Sequence, residues 1–563
     1  MTKFRLKRIH AALVALFVVA SCNASTRYAQ CTNQFNPFAE LGPYTRDSVI
    51  PVIGGAEGNY TKEFRSSTVE NVSVNAESLP RRPYLGTELY WENPDSQEEE
   101  WFKQLGLDFL RVEVTPKEIV ASDQGNSRLP ASFTDWTADD FENGKGWSFG
   151  HSASSVTNIL ENSYGVRFPL MLMIQAGGES YMGLVPDSED YADYFLATVY
   201  YYNVIKGMNL KYWEVLNEPD WGYNNAHVSP DQYAAIFKRV VARIKNFPDK
   251  RVNSISLGGP VLGSGDPIDG SWPDGYANRD SDQGRQWRDY VPTLLDKGSR
   301  DGHCDVGFLS WHDYGSDTWK TAASIYDLSR TYALANRVEA FAKYVSAYTS
   351  GGSQLPLVVS EMNFAAGETL PDTKARFKNF YSALWHASAL NNYFSTGKVT
   401  MISHFFWKGD NSWPKGLVYR DTDSGNQLVR TPVWWMYREY IRHTESRILA
   451  SFDGRQNAWA DAVATTDDKG QVMYLIAVNK GEGEQQIDFS FNVPESLLGP
   501  VVISKERMHK AGDGEFGDPF MKPALIQDYA FQSTFLENKK QVRYIETLPP
   551  RSIVFYTVIP VKQ

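Results

Sequence analysis

A chain of 563 residues is too long for one ordinary domain. Its net charge is −11, or −15 without the four basic residues near its start, which argues against nucleic acid and against broad attraction to a polyanion. Local basic subsites for a sulfated sugar stay open, and the 16 Trp, 31 Tyr and 30 Phe exceed what packing alone requires, in a chain where flat aromatic faces would suit sugar rings.

Lys3, Arg5, Lys7 and Arg8 form a basic leader ahead of the apolar stretch Ala11 to Ala20, which is too short for a membrane span. Residues 1–21 therefore read as a signal peptide. The run Val19-Ala20-Ser21-Cys22 resembles a bacterial lipobox, with Cys22 as the lipid-bearing first residue of the mature protein. An ordinary signal peptide cleaved nearby is the plainer alternative. The expectation is a soluble protein held by lipid at the bacterial outer membrane, since no other apolar run is long enough to span. Cys31 and Cys304 either pair or stay as separate thiols, and both readings remain open.

Residues 22–82 are polar and loop-like, with short alternating pieces such as Thr68 to Val74 that would add strands to a later sheet. Over 83–445, short apolar runs alternate with longer amphipathic segments, the βα rhythm of a parallel (β/α)₈ TIM barrel of the α/β class. Eight strands are expected: Tyr84–Trp91, Leu107–Val114, Leu170–Gln175, Lys211–Leu216, Ser254–Gly258, Val306–Trp311, Leu357–Ser360 and Val399–Phe406. Helix starts are marked by Ser229-Pro230-Asp231, ahead of an apolar stripe from Tyr233 to Ile244, and by Pro432. From 446 to 563 the rhythm changes to alternating strands with turns, as in Val472 to Val478 and Ser552 to Val558, which predicts an accessory all-β sandwich.

The strand Leu210 to Leu216 delivers Asn217-Glu218-Pro219 at its C-terminal end, where barrel enzymes place their chemistry. A second strand, Leu355 to Ser360, delivers Glu361 143 positions later. Two strand-end carboxylates on one barrel are what a retaining glycosidase needs, at a separation of about 5–5.5 Å. A leaving alkoxide needs a proton, so one carboxyl must stay protonated near neutral pH, and partial burial with a second carboxylate nearby serves that end. The nucleophile needs the reverse. A fixed cation such as Arg111 and a phenol such as Tyr314 would keep Glu361 ionised.

On these motifs the chain resembles a clan A glycoside hydrolase over roughly Pro83 to Thr444. The resemblance implies Glu218 as acid/base, with Asn217 bonding the sugar 2-hydroxyl, and Glu361, in Ser360-Glu361, as nucleophile. It implies Arg111 beside that nucleophile, His312 and Tyr314 as a His-x-Tyr pair after strand 6, and Trp407 flooring the −1 subsite. Duller readings are that Arg111 is a structural ion-pair partner, His312 a satisfied interior histidine and Trp407 a core residue. Glu88, Glu92, Glu113 and Asp220 read as groups that bind substrate hydroxyls or are solvated.

Trp91, Trp221, Tyr223, Trp311, Trp319, Trp407 and Trp413 fall in the expected βα loops, and Trp221 directly follows the acid. An aromatic groove fits a threaded polysaccharide, although the insertions Val114 to Val166 and Leu262 to Gly302 would wall a pocket equally well. Within the clan the chain is most similar to the β-agarases and β-porphyranases, or to the β-xylosidase and iduronidase group. The expected substrate is accordingly a polysaccharide or oligosaccharide, cut by an endo-acting algal galactanase or by an exo-acting β-xylosidase-like enzyme. A non-catalytic glycan-binding lipoprotein is the rival of another class, and a transglycosylase shares every named residue. The nine histidines show no metal-ligand spacing, and no cofactor is expected.

Overall fold

The computed structural model describes residues 79–89, 95–114, 131–143, 171–174, 189–220, 228–263, 286–297, 305–315, 328–348, 355–366, 370–422, 425–452, 458–492, 500–528, 534–535 and 541–560. The leader, Cys22, Cys31, Cys304, Thr68 to Val74, Trp91, Glu92, Trp221, Tyr223 and Trp319 lie outside these residues. No described helix is long and apolar enough to cross a membrane.

Eight parallel strands close into a barrel in sequence order. They are β1 (Tyr84–Leu89), β2 (Phe109–Val114), β3 (Met171–Ile174), β4 (Tyr212–Val215), β5 (Ser256–Leu262), β6 (Val306–Tyr314), β7 (Leu357–Asn363) and β8 (Val399–His404). Closure is direct: β1 pairs with both β2 and β8. Outside run α1 (Ser96–Leu105), α2 (Glu189–Tyr200), α3 (Pro230–Lys245), α4 (Gln286–Lys297), α5 (Tyr332–Tyr348), α6 (Phe380–Thr396) and α7 (Pro432–Arg442).

The helix starts follow local chemistry. Asp95 caps α1 and Ser229 caps α3, each in a reciprocal capping box with Glu98 or Gln232, and Pro230 takes the first turn of α3. The stripe Tyr233, Ile236, Phe237, Val240, Val241 and Ile244 is buried, as its spacing predicts. Inside the barrel, alternation sends every second strand residue inward. Phe109, Tyr212, Phe308, Val358 and Met401 plug the interior as one apolar layer. Arg111, Glu214 and His312 come two or four positions after plug residues of β2, β4 and β6, on the same faces and above that plug.

Three strands run further at their C-terminal ends than expected. β5 runs on through Gly258-Gly259-Pro260 to Leu262, because a side chain at Gly258 would strike Phe308 and one at Gly259 would strike Tyr233. These glycines permit close packing rather than break the strand. β6 and β7 extend to Tyr314 and Asn363, so His312, Tyr314 and Glu361 lie on strands rather than in loops.

After β8 a small sheet of β9 (Lys408–Asp410), β10 (Val418–Asp421) and β11 (Gln427–Arg430) forms over the chain's return. Beyond α7 the described elements are all β: β12 (Arg447–Phe452), β13 (Ala460–Thr466), β14 (Met473–Asn479), β15 (Gln485–Asn492), β16 (Pro500–His509), β17 (Ala524–Asp528), β18 (Thr534–Phe535), β19 (Gln541–Leu548) and β20 (Ser552–Pro560). One sheet has the order β12-β13-β14-β20-β16-β17, with β18 against β16, and β15 pairs with β19 in a second. Every residue of α6 is buried, because the helix packs between the barrel and the β12–β14 sheet. A buried polar cluster joins the two. Lys480 Nζ lies 2.9 Å from Asp461 Oδ2 and donates to Thr331 and Ser388, while Asn391 Nδ2 donates to Asp461 at 2.7 Å.

Candidate active site

The polar layer above the apolar plug is organised by Arg111. Its side chain is fully buried, and its guanidinium is shared among strands. Nη1 donates to Glu88 Oε2 at 2.5 Å and to Glu361 Oε1 at 2.8 Å, Nε donates to Glu214 Oε2 at 2.9 Å, and Nη2 donates to Asn217 Oδ1 at 3.2 Å. Strand register makes this natural, since Glu88 and Arg111 are direct neighbours across β1 and β2. Burial opposes the charge, but Glu88, Glu214 and Glu361 outweigh it and hold Arg111 firmly protonated.

Glu361 is the most constrained carboxylate of the site. Besides Arg111 it accepts from the Tyr314 hydroxyl at 2.6 Å on Oε2, and His312 Nε2 stands 3.2 Å from Oε1. Burial would push a proton onto it, yet His312, Arg111 and the Tyr314 hydroxyl outweigh that and hold its carboxyl below the ordinary range. Tyr314 is pushed far the other way, by burial and then by the charge of Glu361, so it stays a protonated donor.

Glu218 comes from the opposite side, in the turn that follows β4. Its side chain is 19 % exposed where that of Glu361 is 6 % exposed, so Glu218 is the carboxyl open to solvent. His312 bridges the two: Nδ1 lies 2.7 Å from Glu218 Oε1 while Nε2 faces Glu361. Burial lowers the proton affinity of this imidazole, but Glu361 and Glu218 together raise it above the ordinary value. Of the three, Glu218 is the group that reaches the opening. One oxygen of each glutamate lies within 4.8 Å of the other.

The expected residues Glu218, Glu361, Asn217, Arg111, His312 and Tyr314 are thus brought together. Trp407 is not at the opening, contrary to the expectation that it floors the −1 subsite. It is 2 % exposed, its ring centroid lies 3.8 Å from that of Phe102 on α1, and its indole N–H donates to Glu98 at 3.1 Å. Trp311 is likewise core, stacked on Phe341 at 4.5 Å. Among the described residues, Trp413 is the expected loop aromatic that stays open, at 37 % exposure, with Phe405 and Phe406 packed beside it. Phe405 in turn meets Tyr314 edge-on at 6.2 Å, which links this aromatic ledge to the partner of Glu361.

Two carboxylates expected to face substrate or solvent do neither. Glu88 is fully buried against Arg111, and Asp220 is 4 % exposed, accepting from the Gly263 N–H at 2.8 Å. Glu214 went unnoticed in the sequence. The available signal is its position two residues beyond Tyr212 on the inward face of β4, where a buried Arg111 demands anionic partners.

His–carboxylate groupings invisible in the spacing also arise by folding. Glu218, His312 and Glu361 each offer a ligand atom within 4.8 Å of the others, as do Glu439, His443 and Glu506. In the first group the Arg111 guanidinium already puts a positive charge 2.8 Å from Glu361. In the second, Glu439 is paired with Arg442 at 3.0 Å.

No protein-family profile matches the sequence, and no curated protein matches it either. Solved structures do. A bacterial orthologue of human α-L-iduronidase aligns with a TM-score of 0.55 at 14 % identity, over 86 % of this chain and 83 % of the other. A family 51 α-L-arabinofuranosidase from Bifidobacterium longum aligns at 0.54 and 16 % identity, over 86 % and 97 %. A glucosidase from Croceicoccus marinus aligns at 0.53 and 14 %, over 87 % and 99 %. At such identities the likeness is one of fold: a (β/α)₈ barrel with a C-terminal β domain, the architecture on which these glycosidases are built.

Proposed function

We propose that the protein is a retaining glycoside hydrolase acting by double displacement, with Glu361 as nucleophile and Glu218 as acid/base. The observation that carries this reading is the approach of one Glu218 oxygen to within 4.8 Å of one Glu361 oxygen, with His312 between them. So close an approach favours direct attack by one carboxylate over the wider spacing, about 6.5–9.5 Å, that an inverting enzyme keeps for its water.

The rest of the layer fits the two roles. Arg111 and Tyr314 keep Glu361 ionised and aimed, as a nucleophile requires. Glu361 attacks the anomeric carbon as Glu218 protonates the leaving oxygen. The glycosyl–Glu361 ester is then cleaved by a water that gives its proton to Glu218, which regenerates both groups. Asn217, held by Arg111, presents its amide N–H₂ for a sugar 2-hydroxyl.

For the substrate we take a polysaccharide with β-linked sugars, an algal galactan cut internally being the first candidate. The exposed Trp413, backed by the buried Phe405 and Phe406, supports a ring-stacking substrate. The sequence supports secretion with a lipid anchor at Cys22, and so a place at the bacterial outer membrane.

The test is digestion of agarose, porphyran, carrageenan and xylan by the wild type, Glu218→Gln and Glu361→Gln, with oligosaccharide profiling. Cleavage of at least one polymer by the wild type, lost in both variants, is expected. Binding without any cleavage would leave a glycan-binding protein instead, and profiling with added acceptor sugar would reveal a transglycosylase.

A further inference from the structure

We propose that Asp220, a residue with no task in the double displacement, is a positioning residue: it fixes the backbone on which the Glu218 carboxyl rests and places a second negative charge beside it. The proposal rests on the glycosidase reading and adds a determinant of the acid/base to it.

The acid turn is locally strained. Leu216 and Glu218 have φ of 64° and 44°, and Val261, facing them at the end of β5, has φ of 55°. Non-glycine residues hold left-handed conformations only where the surroundings dictate them. Two hydrogen bonds supply that dictation from β5. The Glu218 N–H donates to Val261 O at 2.9 Å, and the Gly263 N–H donates to Asp220 Oδ1 at 2.8 Å.

Gly263 is the point of contact. A Cβ there would lie 2.8 Å from the Glu218 carboxyl carbon and 2.9 Å from Oε1, so the carboxyl group sits directly on the Gly263 backbone. Asp220 therefore grips the residue that forms the wall of the acid. It does so out of reach of substrate, being 4 % exposed.

Its charge matters as well as its oxygen. Glu218 and His312 both act on Asp220 electrostatically, and Tyr290 of α4 closes the other side, its hydroxyl donating to Val228 O and standing 3.4 Å from Pro219 O. Burial, and then the charge of Glu218, push the Asp220 carboxyl up to about 7 despite the Gly263 hydrogen bond. Above neutrality Asp220 therefore places a negative charge beside the Glu218 carboxyl.

Three variants separate grip from charge, with kcat, KM and the pH profile measured on a polymer the wild type cuts. Asp220→Ala removes both, so kcat falls about 10- to 100-fold, as sub-ångström misplacement of an acid does, while KM changes little. Asp220→Asn keeps an acceptor oxygen and removes the charge. It loses less kcat than Asp220→Ala, and its alkaline limb moves to lower pH by about half a unit or more. Gly263→Ala pushes the acid off its wall and reproduces the kcat loss. An Asp220→Asn alkaline limb superimposed on that of the wild type, or an Asp220→Ala kcat equal to that of the wild type, overturns the proposal. Full activity in Glu218→Gln would instead overturn the hydrolase reading itself, whatever Asp220 does.

Discussion

Replacing Tyr314 by Phe removes one oxygen and leaves the ring, which stays packed against Phe405 and under the Lys415 ammonium at 5.7 Å. What disappears is the 2.6 Å hydrogen bond to Glu361 Oε2. A hydrogen bond to a charged group contributes about 1.5–3 kcal/mol, and one pKa unit corresponds to about 1.4 kcal/mol. The bond favours only the ionised carboxylate, so its loss should raise the Glu361 proton affinity by about one to two pH units. His312 and Arg111 remain and prevent a larger change.

The sign follows from Glu361 being held below the ordinary carboxylate range. Its contribution to stability is present above the unfolded carboxyl value of about 4.3 and is lost as pH falls through the depressed folded value. Tyr314→Phe should therefore be destabilised relative to the wild type at pH 7, and the difference should shrink in acid. The acid limb of kcat/KM should move up by the same one to two units. A pH–rate profile combined with urea unfolding at two pH values reads both effects. An acid limb that stays where the wild type has it would refute the assignment of Glu361 as the ionised nucleophile.

Other outcomes follow from single contacts. Lys480→Met leaves Asp461 buried without its cation, and unfolding in urea should show a loss of about 3–5 kcal/mol; a loss under 1 kcal/mol would mean that the cluster does not pin the β domain to α6. Trp413→Ala should raise KM on a polymer about three- to tenfold, the range of an aromatic contact, while leaving turnover of a single-sugar aryl glycoside alone. Equal effects on both substrates would show that Trp413 acts on the chemistry rather than on a remote sugar ring.

Much of the barrel was readable because two signals coincide in it. Strands β4 and β7 are short apolar runs, and each delivers a glutamate near its C-terminal end. Ser229 with Pro230 marked the start of α3, and Pro432 that of α7. What failed to show depends on contacts far apart in sequence. The strand expected to end at Gly258 continues, because Gly258 and Gly259 make room for Phe308 and Tyr233. Trp407 looked like a sugar platform until Phe102 and Glu98 of α1 claimed both its face and its N–H. Glu88, Glu214 and Asp220 are ordinary carboxylates by spacing, and only the Arg111 fork and the Gly263 amide give them work. The bridging by His312 likewise needs the register that sets it beside Glu361 on β7.

The most direct check on the paired-glutamate mechanism is the anomeric configuration of the first product, followed by proton NMR during digestion of whichever polymer the enzyme cuts. Double displacement through Glu361 predicts that the newly released reducing end first carries the configuration of the bond that was broken. Initial release of the opposite anomer would mean that water attacks directly, and that Glu361 is not the nucleophile.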